Sequence, residues 1–340
     1  MSVRAAVAFE THIHRAPNCI LEIGQQRPDH WCAPVTILWL FPRKKRIMKR
    51  IFLFIVTNLA VLALLSVVLF IVEQVFGIHL AQGGTGGLLV FAAIFGFGGA
   101  LISLALSKWT AKRMMGVRVI VAPQSDLENW LVGVVRRLAD QAHIGMPEVG
   151  IFDAEEMNAF ATGARRNSAL VAVSSGLLRN MSRTQIEAVL GHEITHVANG
   201  DMVTLALLQG VLNTFVIFLA RIIGGIVDRA VLRNDREGSG IGYFLTTLLA
   251  QFVLGILASI IVSWYSRRRE FRADRGGADL AGRGNMIDAL QMLNRSQGQP
   301  MPTQMQAFGI NTGNSNGFMR LFMSHPPLDE RIAALQASAA

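Results

Sequence analysis

The stretch Ala188–Asp201, AVLGHEITHVANGD, sets His192 and His196 four residues apart, with Glu193 directly after the first. The residues that follow, Met202 to Ala220, read MVTLALLQGVLNTFVIFLA and carry no charge. On a helix, positions i and i+4 share one face, about 5–6 Å apart at Cβ. Two imidazoles placed there converge on one zinc ion, at ~2.0–2.1 Å each. Glu193 lies one step round the helix, close enough to reach an attacking water without being a ligand. The preceding SRTQIEAVLG predicts the helix, with Ser182 as N-cap and Ile186, Val189 and Leu190 as its apolar stripe. Taken alone, the same spacing also fits a surface helix with two solvated histidines.

A catalytic zinc needs a third protein ligand and an open position for water. Ser266 to Gly282 reads SRRREFRADRGGADLAG, and Glu270 and Asp274 are again one helical turn apart. Glu270 can complete a His, His, Glu set. Asp274 can then accept a hydrogen bond from the far nitrogen of a ligand histidine, as metal-bound imidazoles require. The rival reading is an amphipathic helix whose acids balance Arg269, Arg272 and Arg275.

The surroundings of both segments are apolar. Of 340 residues, 51% are hydrophobic and 16% charged, where soluble domains carry about 25% charge. Four runs are long enough to cross a hydrocarbon core of ~30 Å as helices: Ile51–Val72, Gly87–Leu106, Met202–Ala220 and Ile241–Tyr265. The net charge of +9 is concentrated at the ends of these runs, in RKKRIMKR (Arg43–Arg50), KWTAKRMMGVR (Lys108–Arg118) and SRRREFR (Ser266–Arg272). Such flanks set topology rather than bind nucleic acid. They predict a cytoplasmic N-terminus and place 108–200 and 268–340 on the cytoplasmic side. The two cysteines, Cys19 and Cys32, imply no disulfide framework. Residues 1–47 do not read as a signal peptide, and MKRIFLFIVTN from Met48 reads as a normal start. These residues are therefore taken as an upstream extension; a zinc-binding arm through His12, His14, Cys19, His30 and Cys32 is the alternative. FGINTGNSNGF (Phe308–Phe318) reads as a polar loop.

GHEITHVANGD, EFRAD (Glu270–Asp274) and SHPPLDERI (Ser324–Ile332), in this order among four apolar runs, resemble the HtpX family of bacterial membrane zinc metalloproteases, which is related to the CAAX prenyl proteases. The resemblance runs from about Met48 to the C-terminus; residues 1–47 depart from it. It implies one zinc per chain held by His192, His196 and Glu270, with Glu193 as catalytic base. It also implies a mainly α-helical integral membrane protein with four transmembrane helices and a zincin-like cytoplasmic catalytic domain containing a small β-sheet. The organisation is then an extension (1–47), a transmembrane hairpin (48–107), a catalytic part (108–200), a second hairpin (201–266) and a second catalytic part (267–340).

Within Glu155–Leu178, NAFATG and SALVAVS read as strands joined by ARRN. In related proteases such an edge strand pairs with extended substrate, and Asn158 would contact it; a plain core hairpin is the alternative. His325 and Arg331 match a family pair at the active site, the alternative being a structural turn with an Arg331 salt bridge. The implied activity is endopeptidase action on misfolded or unfolded membrane proteins at the cytoplasmic face of the inner membrane, in stress response. The implied partners are protein substrates and the lipid bilayer, with no nucleic acid, and a homo-oligomer is left open. The rival functions are a CAAX-type prenyl-protein protease and a non-catalytic membrane scaffold or transporter.

Overall fold

The computed structural model describes residues 84–230, 240–297 and 320–338, together with Val67, Phe70, Ile71 and Gln74. The chain divides into two units, Met1–Ile47 and Met48–Ala340, and all described residues belong to the second. The extension 1–47, the loop Phe308–Phe318 and nearly all of the first apolar run lie outside the described residues.

Three described helices are long and apolar enough to cross a membrane: α1 (Gly84–Met115), α5 (Asp201–Ala230) and α6 (Ile241–Ala281). They expose large apolar side chains, with Phe244 and Phe252 65% and 67% accessible. In water such a surface is unfavourable at about 25 cal/mol per Å²; against acyl chains it is solvated. Helix–helix contact in that setting relies on close approach through small residues. Phe91 meets Arg221, Gly96 meets Thr214 and Phe97 meets Gly210, so α1 and α5 run antiparallel. Each of the three helices outlasts its apolar run. In α6 the extension reaches Ala281, and its buried positions Ser263, Ser266, Glu270, Ala273, Asp274, Gly277 and Ala278 recur every three or four residues along one face.

Beyond α1 the chain folds as β1 (Arg118–Val119), α2 (Asp126–Gln141), β2 (Glu148–Phe152), β3 (Ala159–Thr162), β4 (Leu170–Ser174), α3 (Ser175–Asn180) and α4 (Arg183–Asn199). After α6 come α7 (Arg283–Gln297) and α8 (Leu328–Ala337). The sheet order is β1-β2-β4-β3, with β2 and β4 parallel and both outer pairs antiparallel. The two strands expected from sequence form as β3 and β4. The short β1 and the strand β2 were not signalled by alternation, since β2 is part-buried or buried throughout. β4 is wholly buried, whereas β3 is an edge strand and only half-buried. The core joins β4 (Val171, Val173) to α2 (Leu131, Leu138), α4 (Ile186, Leu190, Ile194) and α7 (Leu290).

Candidate metal centre

Ser182 caps α4 as its sequence suggests, in a reciprocal capping box with Gln185. The helix ends at Gly200, whose φ of 68° is left-handed and lets the chain restart as α5 at Asp201. α4 thus carries His192, Glu193 and His196, and α6 crosses it. Glycines let the two helices approach closely at the crossing. A Cβ on Gly277 would stand 2.9 Å from the His192 backbone nitrogen, and one on Gly191 would stand 3.3 Å from the Gly277 Cα. That approach brings Glu270, about two helical turns earlier on α6, to the histidine pair.

His192 Nε2 and His196 Nε2 are 3.1 Å apart. Glu270 Oε2 lies 3.5 Å from the first, and Oε1 lies 3.4 Å from the second. Ligands ~2.0–2.1 Å from a tetrahedral ion stand about 3.3 Å from one another, so the three donors already have the edges of a metal site. All three residues are buried, and Glu270 Oε1 is buried without a hydrogen-bond partner. A buried carboxylate oxygen held by no hydrogen bond is costly unless a cation meets it; Arg269 Nε approaches only to 3.6 Å, and two facing imidazole nitrogens suit a metal ion at the same place.

The outer nitrogens are held by carboxylates. His192 Nδ1 is 3.0 Å from Asp274 Oδ1, and His196 Nδ1 is 2.7 Å from Asp201 Oδ2. Each carboxylate draws the ring proton to Nδ1 and leaves Nε2 as the donor toward the centre. Burial by itself lowers the pKa of His196, but hydrogen bonds to Asp201 and Glu270 outweigh it and raise the value to about 9. His192 shifts upward for the same balance, with Asp274 and Glu270 opposing burial. Asp274 stands where the spacing to Glu270 puts it. Asp201 was not singled out from sequence, although its place directly after the left-handed Gly200 is a readable signal.

Arg331, buried on α8, donates from Nε to Asp274 Oδ2 at 2.7 Å and also pairs through Nη2 with Oδ1. Its Nη1 lies 3.6 Å from Glu270 Oε2. Arg331 thus forms the salt bridge considered from sequence and lines the same cleft as His192 and Glu193. His325 Nδ1 lies 2.9 Å from Glu270 Oε2, yet the side chain is 61% exposed, so its other edge faces an open cleft. That cleft, of about 120 Å³, is lined by Asn158, His192, Glu193, Glu270, His325 and Arg331 among others. Residues from β3, α4, α6 and the segment before α8 therefore meet in one place.

Glu193 makes one contact that sequence did not suggest: its Oε2 accepts the backbone N–H of Ala161 on β3 at 2.8 Å. Asn158 is tied to β4 through both its backbone groups, N–H to Ser174 Oγ and C=O to the Ser174 amide. Antiparallel strands alternate, so Ala159 and Ala161 turn their amide and carbonyl groups away from β4 and toward the cleft.

The model of peptidase family M48 matches residues 125–339. Protease HtpX of Alkalilimnicola ehrlichii is 61% identical over 295 residues, covering 85% of this chain and 98% of that protein. The Protease HtpX homolog of Thiobacillus denitrificans is 60% identical over 294 residues, covering 85% of this chain and 99% of its own length. Among solved structures, S. mikatae Ste24p superposes with a TM-score of 0.61 at 19% identity, over 86% of this chain and 66% of that one, a likeness of fold alone. With a family model spanning more than half of the sequence and relatives near 60% identity over almost their full lengths, this metalloprotease belongs to peptidase family M48.

Proposed function

We propose that the protein is a zinc-dependent endopeptidase of the bacterial inner membrane, cutting misfolded or damaged membrane proteins at their cytoplasmic segments. The observation that carries this reading is the donor triangle of His192, His196 and Glu270, with Glu193 beside it and an edge strand alongside. Two imidazoles and one carboxylate in near-tetrahedral spacing suit zinc over oxygen-seeking ions such as Mg²⁺ or Ca²⁺. Zinc at these atoms supplies Lewis acidity to the scissile carbonyl and to the attacking water.

The chain's own residues do the rest. Glu193 takes the water's proton on a carboxylate oxygen and delivers it to the leaving amine. Substrate in extended form pairs with Ala159 and Ala161 on β3, a main-chain interaction suited to broad specificity, while Asn158 holds it from the cleft wall. A substrate carbonyl that takes the Ala161 N–H frees Glu193 in the same event. His325 donates to the developing oxyanion from its exposed edge. Asp274, Asp201 and Arg331 orient the two ligand histidines. The orientation rests on charge: Lys112 and Arg113 close α1, and Arg267 to Arg269 follow the apolar part of α6, on the catalytic side of both helices. The organisation into an extension before Met48, two hairpins and two catalytic parts belongs to the same proposal.

The test is Glu193→Gln in the full chain. The variant keeps the parent's zinc content and loses nearly all cleavage of an unfolded substrate such as casein. Equal cleavage by variant and parent ends the reading. Preferential cleavage of a prenylated CAAX peptide over casein by the parent replaces the substrate class proposed here.

A further inference from the structure

A second hollow, of about 280 Å³, lies past the end of β3 and contains none of the metal donors. Its volume is near the low end of ligand sites, ~300–1,000 Å³. Its wall is made by the loop that follows β3, including Arg165 and Arg166, by Asn199 and Gly200 at the end of α4, and by Met202 and Val203 in the first turn of α5. Arg165 and Arg166 are exposed and form no ion pair among the described residues. The Arg166 guanidinium lies over Gly200, with Nε and Nη2 3.8 Å from where a Cβ on that glycine would stand. The nearby carboxylate, Asp201, is already engaged by His196 at 2.7 Å and approached by Arg272 at 3.6 Å.

The level of this hollow in the membrane follows from the helices. Met202 to Ala220 is uncharged and spans about 28 Å at 1.5 Å per residue, close to a hydrocarbon core of ~30 Å. Arg221 marks the far boundary, its guanidinium 4.0 Å from the centre of the Phe91 ring. Met202 therefore marks the near one. α1, antiparallel to α5, returns to that boundary at Lys108, whose Nζ donates to Ser168 O at 3.2 Å. The arginine loop is thus moored at headgroup depth. Below it, Val203, Leu207 and Val211 follow one face of α5 at four-residue spacing, and Leu207 and Val211 are exposed.

We propose that this hollow binds the headgroup phosphate of an anionic phospholipid, with Arg165 and Arg166 on the phosphate and an acyl chain along Val203, Leu207 and Val211. Two unpaired guanidiniums suit a phosphate anion, and the apolar track below them selects a lipid over free phosphate. The inference is independent of the proteolytic mechanism.

The test is native mass spectrometry of the full chain in detergent, titrated with phosphatidylglycerol or phosphatidylcholine. The parent binds phosphatidylglycerol at least tenfold more tightly than phosphatidylcholine. The double variant R165A/R166A loses about thirtyfold in phosphatidylglycerol affinity, as expected for two cation–phosphate attractions, and the double variant R165K/R166K retains most of it. Unchanged metal content of each variant shows that the fold persists. Three outcomes overturn the proposal: no headgroup preference in the parent, an equal loss in R179A/R295A, which removes the same charge elsewhere, or displacement of the lipid by millimolar inorganic phosphate.

Discussion

Asp274 links the His192 ring to the buried Arg331, so Asp274→Asn is an informative single change. Its Oδ1 lies 3.0 Å from His192 Nδ1, its Oδ2 accepts from Arg331 Nε at 2.7 Å, and it is 1% exposed. Asparagine keeps the shape and can still accept from His192, but it strips Arg331 of its hydrogen-bonded counter-charge and leaves only the more distant Glu270 at 3.6 Å. Leaving one partner of a buried ion pair uncompensated costs about 3–5 kcal/mol. At about 2–4 °C per kcal/mol for a domain of this size, the Tm falls by roughly 6–20 °C. Weaker orientation of His192 lowers metal affinity by ~10–100-fold. The two effects separate in the double variant D274N/R331M. Replacing the orphaned guanidinium by an apolar chain of similar length restores much of the Tm, because the unpaired charge is gone. Metal affinity stays low, because the carboxylate behind His192 is still missing. Thermal unfolding in detergent with chelator present reads the first quantity, and zinc titration against a competing chelator reads the second. A single variant with unchanged Tm, or a double variant whose losses simply add, would refute the argument that Asp274 acts through Arg331.

His325→Ala is expected to lower kcat by about ten- to a thousandfold, the loss of one oxyanion donor, with metal content unchanged; loss of zinc would make His325 a ligand instead. Gly277→Leu forces α6 away from α4 at the His192 nitrogen, so the purified variant should contain little metal, and a normal metal content would show that the crossing has slack. The pH dependence follows from His196, whose pKa is raised to about 9 from an ordinary 6.5 in the metal-free protein. A raised pKa stabilises the metal-free fold fully below pH 6.5 and is lost as pH rises through 9. Metal requires the deprotonated ring, so the Tm difference between zinc-loaded and chelated protein should widen from pH 6.5 to 9, and a flat difference would contradict the assignment of His196.

The sequence by itself determined the parts of this protein that depend on local spacing. His192, Glu193 and His196 share a helix because four residues make about one turn, and Glu270 and Asp274 do so for the same reason. Apolar length marked the three described helices that are long and apolar enough to cross a membrane, because a bilayer demands that length whatever the partners are. What the tertiary structure decided is how those helices meet. Nothing in the spacing of α6 says that Gly277 lies against His192 or that Glu270 thereby faces two imidazoles, since close packing depends on both surfaces at once. Asp201 escaped notice because its role requires the left-handed turn at Gly200 to fold it back on His196. The contact of Glu193 with the Ala161 amide, and the bracing of Asp274 by Arg331, join residues 32 and 57 positions apart. Pairings at such separation are set by the packing of β3 and α8 onto the crossing helices, which no local period encodes.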